Sequence, residues 1–182
     1  MKKLETKWMS LMKKQNLILY STIIFFFLIK ISLSDSNELT SIYGKALIVD
    51  GDTIKINVET IRFGGIDAPE SYFFGKKQFC HLDEIKVLCG MLSKKKLKEK
   101  IGKSFVNCLL EKNKDRHKRH VGECYINNES LSVYMVRSGF AFDYPKYSNG
   151  KYKKDQEYAE YYSLGLWNMQ FEYPWIWRKK NR

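Results

Sequence analysis

Acidic residues are the scarce side of the charge balance in this 182-residue chain: 20 aspartates and glutamates face 32 lysines and arginines, a net charge of +12. Six lysines and one glutamate fall in residues 1–34, so the remainder keeps 26 basic and 19 acidic residues, a surplus of seven. Such a surplus favours a polyanionic partner, either nucleic acid or an anionic membrane surface, although a lysine-rich solvated surface accounts for the same number. Internal repeats and low-complexity segments are lacking, which excludes a repeat array. The apolar run at 17–29 has 13 residues, short of the about 20 that a membrane span needs. No cysteine lies in the first 34 residues, which leaves no thiol for lipid attachment there. The length suits one well-buried domain and is too short for two large ones.

What the first 34 residues do contain is the pattern of an export signal. A basic stretch with Lys2, Lys3, Lys7, Lys13 and Lys14 precedes the apolar run, and Ser32-Leu33-Ser34 offers a small-x-small cleavage site before Asp35. An uncleaved N-terminal anchor, with Lys30 at the interface, is the alternative. Residues 35–39 read as a linker, 40–178 as the folded domain and 179–182 as a basic tail. Export gives the four cysteines a meaning, because an even count in an oxidising compartment indicates disulfides. The rivals are four buried thiols or a zinc site, but the spacings of Cys80, Cys89, Cys108 and Cys124 match no zinc signature.

From Thr40 the pattern is β. Ile54, Ile56 and Val58 alternate with Thr53, Lys55 and Asn57, and Ile61 and Phe63 resume the alternation after a turn expected at Glu59-Thr60. Residues 71–89 have no period and read as a long surface loop. A short amphipathic helix is expected over 90–101, with Met91, Leu92, Leu97 and Ile101 on one face. Strands follow at 105–110 and 121–126, joined by a charged connection. Helices are expected around Leu131–Met135, stopped by Gly139, and over 153–164, stopped by Gly165. The aromatics of the tail, Trp175 and Trp177 among them, should pack back on the domain. This order predicts an α+β, mainly β fold: a five-stranded Greek-key barrel with about three packed helices. If the strands 105–110 and 121–126 pair antiparallel around residue 116, Cys108 and Cys124 stand directly opposite, within reach of a disulfide. Cys80 and Cys89 would then close the long loop. A slipped register would instead leave Cys108 and Cys124 reduced.

Two segments carry the chemistry. Val49-Asp50-Gly51-Asp52-Thr53 and Arg62-Phe63-Gly64-Gly65-Ile66-Asp67-Ala68-Pro69-Glu70 set carboxylates and an arginine at adjacent strand ends in an otherwise basic chain. Such an acidic knot calls for compensation by a hard divalent cation, which carboxylate and carbonyl oxygens bind. Taken singly, each residue reads blandly: Asp50-Gly51-Asp52 as a hairpin turn, Arg62 as an exposed strand residue, Glu70 as solvated.

Together, and with the third block Asp115-Arg116-His117-Lys118-Arg119-His120-Val121-Gly122, they resemble the signature of the thermonuclease (staphylococcal nuclease-like) family, whose domain is an OB-fold. The resemblance spans roughly residues 42–177. It implies that Asp52, Asp67 and the backbone carbonyl of Ala68 hold Ca2+, that Arg62 and Arg119 bind phosphate, and that Glu70 orients or deprotonates the attacking water. Ala68 stands where the family has a threonine, a change that a backbone ligand survives. Lys118 and His117 replace the family's glycine and tyrosine, which puts Lys118 under strain if its φ is positive and leaves open whether Arg119 or Arg116 points into the site. His81, His117 and His120 are assigned no catalytic role. The implied activity is an exported, calcium-dependent nuclease acting on DNA and/or RNA with little base specificity, as a monomer with no stable protein partner. The runners-up are a nucleic-acid-binding barrel without catalysis and a membrane-anchored adhesion or uptake protein.

Overall fold

A computed structural model describes residues 40–182; the expected export signal and linker lie outside the described residues. Five strands close a barrel: β1 (Ser41–Asp50), β2 (Thr53–Ile56), β3 (Glu59–Phe63), β7 (Phe105–Leu110) and β8 (His120–Ile126). The order is β3-β2-β1-β7-β8, and β3 returns to β8 in a parallel pairing that sets Arg62 opposite Val121. Closure leaves these strands no open edge. Inside lie Ile54, Ile56, Ile61, Phe63, Val106 and Leu110, alternating with outward polar residues as a half-buried strand requires. The β2–β3 turn falls at Asn57-Val58, two residues before its expected place. Asn57 takes φ 54° there, a conformation that asparagine tolerates, and Val58 is left 81% exposed instead of continuing the strand.

Short elements frame the barrel: β4 (Ile66–Asp67) pairs with β10 (Phe142–Asp143), and β9 (Glu129–Ser130) turns back to pair antiparallel with the end of β8. The segment expected to be a bare loop holds a small hairpin of β5 (Cys80–Leu82) and β6 (Ile85–Val87). Five α-helices occur among the described residues: α1 (Cys89–Ile101), α2 (Leu131–Arg137), α3 (Pro145–Ser148), α4 (Lys153–Tyr161) and α5 (Pro174–Lys180). The two beyond the expected three each begin with a proline, which suits a helix start. α1 buries Gly90, Ser93, Leu97 and Ile101, while Met91 of the expected face is exposed. α2 is capped by the Ser130 hydroxyl, which accepts from the Val133 N–H at 3.0 Å, and Gly139 follows it at φ 76°. α4 stops at Tyr161, short of Leu164, and Ser163 takes φ 50°.

Both disulfides are formed. Cys108 and Cys124 face each other in the β7–β8 register, with Cα atoms 4.0 Å apart, and Cys80 is joined to Cys89 with Cα atoms 5.6 Å apart. The second bond sits in a separate apolar cluster with Phe142 and Leu166, against which Phe171, Tyr173 and Trp175 pack. The tail thus folds back onto the domain and there forms α5. Among the described residues no helix is long and apolar enough to cross a membrane.

Candidate active site

The site is assembled at the end of the barrel where β1 turns into β2 and β3 into β4. Gly51 belongs to the first turn because a Cβ there would stand 2.7 Å from the Ser93 Cβ of α1 and 2.8 Å from the Ala68 Cβ. Without it the two turns could not meet. Their meeting is fastened by Asp52, whose Oδ2 accepts from the Ala68 N–H at 3.1 Å and whose Oδ1 accepts from the Thr53 hydroxyl at 2.8 Å. Gly90 plays the same part at the start of α1, since a Cβ would come within 2.1 Å of the Glu70 carbonyl oxygen.

Arg62 ties the carboxylates together. Its Nη1 lies 2.9 Å from Asp52 Oδ2 and its Nη2 2.6 Å from Asp67 Oδ1. Burial opposes the guanidinium charge, but Asp52 and Asp67 more than offset this and hold it protonated. Asp67 is fully buried. Its carboxyl is pushed up by burial, against the pull of Arg178 and Arg62.

Arg178, on α5, was not among the residues singled out from sequence. It donates to Asp67 through both terminal nitrogens, Nη1 to Oδ1 at 2.9 Å and Nη2 to Oδ2 at 2.6 Å, and its Nη1 also reaches Glu70 Oε1 at 2.6 Å. Burial first, then the Asp52 charge, raises the Glu70 pKa in spite of that partner. Asp50 stands behind the cluster, accepting from the Gly51 and Ser71 N–H groups at 2.9 and 3.3 Å. Burial, with Asp52 and Glu70 nearby, lifts its pKa to about 7.

Glu70 is held from its backbone by a second residue that sequence did not reveal. Buried Gln78 accepts from the Glu70 N–H at 3.1 Å, donates its own N–H to the Glu70 carbonyl at 3.1 Å, and donates Nε2 to the Glu172 carbonyl at 2.7 Å. One amide therefore joins the site to the tail that delivers Arg178.

Arg119 is placed differently from Arg62. Its Nη2 lies 2.7 Å from Asp115 Oδ2 and its backbone N–H donates to Asp115 Oδ1 at 3.0 Å, inside a tight 115–119 turn just ahead of β8. Burial works against the Asp115 charge, but the Arg119 contacts outweigh it and lower the Asp115 pKa. The turn puts Lys118 at φ 61°, the left-handed conformation that glycine adopts without strain. Arg116 is exposed, with its Nε 3.1 Å from His117 Nε2. The structure thus brings Asp52, Arg62, Asp67, Ala68 and Glu70 together, while Arg119 is engaged with Asp115.

Chemically, the cluster offers buried oxygen donors with more negative charge than two arginines neutralise if all four carboxylates ionise. Like-charged carboxylates that raise one another's pKa are the donor set that a hard cation suits. The described residues contain no ready-made group of three His, Cys, Asp or Glu ligands; two carboxylates and a backbone carbonyl would have to be completed by water.

Comparison with known proteins places this site in context. A family model described as staphylococcal nuclease homologue matches residues 60–169, a stretch that contains Arg62, Asp67, Glu70 and Arg119. The chain is 30% identical over 142 residues to a succinoglycan biosynthesis protein of Rhizobium meliloti, covering 76% of this chain and 71% of that one. It is 32% identical over 144 residues to an uncharacterized endonuclease of Haemophilus influenzae, covering 74% and 71% respectively. A probable staphylococcal-like nuclease of Oryza sativa is 27% identical over 140 residues, 76% of this chain and 33% of the rice protein. With a family model matching more than half its length around these residues, the chain belongs to the staphylococcal nuclease homologue family.

Proposed function

We propose that the protein is an exported, calcium-dependent nuclease that hydrolyses phosphodiester bonds of DNA and/or RNA with little base specificity. The observation that carries this reading is the bridge of Arg62 between Asp52 and Asp67, with Glu70 bound to the same Asp67 through Arg178. Asp52, Asp67 and the Ala68 carbonyl are the residues to hold Ca2+, which would supply charge neutralisation at the phosphoryl oxygens and a polarised water. Arg62 grips the phosphate through its planar fork, which a lysine cannot reproduce. Glu70 takes the proton of the attacking water, its carboxylate held beside Asp67 by the shared Arg178. Recognition confined to the backbone phosphates carries no base specificity. The basic leader, the apolar run after it and the two disulfides support export.

The decisive assay digests single- and double-stranded DNA and RNA with calcium, with magnesium, or with excess chelator. Cleavage with calcium and none in chelator is expected; full activity in chelator removes the calcium reading. N-terminal sequencing of the exported protein separates a cleaved signal from an anchor. A second reading, a nucleic-acid-binding barrel without catalysis, draws support from the occupation of Glu70 Oε1 by Arg178, and the same assay would leave all four substrates intact.

A further inference from the structure

Arg178 stands where the divalent cation would have to act. It takes both oxygens of Asp67 and one of Glu70 in a single clasp, at 2.6 to 2.9 Å. Asp67 Oδ1 also receives Arg62, so its two lone-pair directions are filled. A calcium ion about 2.4 Å from Oδ2 would sit beside the Arg178 guanidinium and be repelled by it. A buried charge left without a partner is costly, and Arg178 is the cation that stabilises the cluster from the tail side.

The position of this guanidinium is not left to a loose end. Tyr173 and Trp175 pack against the cluster around Phe142, and Trp175 stacks on Tyr144 with ring centroids 4.8 Å apart. Gln78 holds the Glu172 carbonyl at 2.7 Å, Trp177 packs on Phe73 with ring centroids 6.0 Å apart, and Lys76 Nζ donates to the Asn181 side chain at 3.3 Å. α5 is therefore anchored on both sides of Arg178, and only the long side chain has to move for the clasp to open.

Building on the nuclease reading above, we propose that Arg178 is an exchangeable internal counter-ion: it holds Asp67 and Glu70 before the metal binds, and the divalent cation displaces it. Once displaced, its side chain remains within reach of the site's mouth. There it can meet the phosphate as a further guanidinium beside Arg62. The clasp would set the calcium affinity by competition and keep Glu70 out of action until metal arrives.

The test is titration calorimetry of calcium into the nucleic-acid-free protein, comparing the wild type with Arg178→Gln and Arg178→Lys. Loss of a competing cation should tighten calcium binding about ten-fold in Arg178→Gln, with Arg178→Lys falling back toward the wild type. Circular dichroism checks that each variant is folded, and a variant that does not fold is replaced by Arg178→Met, which keeps the stem packed. Unchanged or weaker calcium binding in the folded neutral variant overturns the exchange while leaving the nuclease reading in place. If neither wild type nor variant binds calcium, the exchange and the calcium part of that reading fall together.

Discussion

Arg62 reaches two carboxylates with two different terminal nitrogens, at 2.9 and 2.6 Å, and a lysine's single ammonium cannot span them. Arg62→Lys should lower kcat/KM by roughly 10²–10³-fold, the usual cost of removing one preorganised donor, while circular dichroism stays native. Glu70→Gln keeps the shape and gives up basicity, so it should retain nucleic-acid binding in a filter assay and lose most turnover; wild-type turnover would remove Glu70 from its assigned role. At Lys118 the backbone is at φ 61°, and Lys118→Gly should raise stability by about 0.5–1 kcal/mol in urea unfolding. At this scale the sequence was legible wherever a motif is local. Asp52, Arg62, Asp67 and Glu70 lie within 19 consecutive positions, and the turns on which they sit have recognisable chemistry. Arg178 and Gln78 were not legible. Asp67 lies 111 residues from Arg178, and the tail carbonyl that Gln78 holds lies 94 residues from it; a tail arginine among other basic residues carries no pattern of its own.

Between elements, Glu123 of β8 joins three pieces of structure. It accepts from the Ser130 hydroxyl that caps α2, from the Tyr152 hydroxyl at the entry to α4, and from Lys151 Nζ at 2.6 Å. Burial opposes its charge, but Lys151, Ser130 and Tyr152 outweigh it and lower its pKa below 4.5. The folded state therefore binds a proton here less readily than the unfolded chain. This contribution is present above about pH 4.5 and is lost as pH falls through the lower folded value. Glu123→Gln should cost about 1–3 kcal/mol at neutral pH and flatten the acid limb of a stability-against-pH curve measured by thermal melts. An unchanged acid limb would show that the network contributes nothing. Strands 105–110 and 121–126 were readable because their apolar alternation and opposed cysteines agree. The face of α1 was readable at Leu97 and Ile101 but not at Gly90 and Ser93, which are buried for closeness to the site and not for hydrophobicity.

Across the whole domain, the two disulfides close loops of 9 and 16 residues' separation in different apolar clusters. On the chain-entropy model each contributes about 3 kcal/mol. A Cys108→Ala/Cys124→Ala double variant should therefore melt roughly 10 °C lower, and non-reducing peptide mapping of the wild type should return Cys80–Cys89 and Cys108–Cys124 alone. The barrel was foreseeable from element order, whereas α3 and α5 were not, being short, proline-led helices whose burial comes from tertiary packing.

The domain's two apolar clusters, one inside the barrel and one beneath the tail, touch a common residue in Phe140, and the site draws on both sides: Arg62 from the barrel wall, Arg178 from the tail. Such a division makes the tail cluster a natural cooperative unit of its own, able to open locally while the barrel's amides stay protected from exchange. Each opening would carry one guanidinium out of the cluster and leave the other in place. The charge of the site, and with it the attraction for a cation, therefore depends on a tail segment that supplies no strand to the barrel.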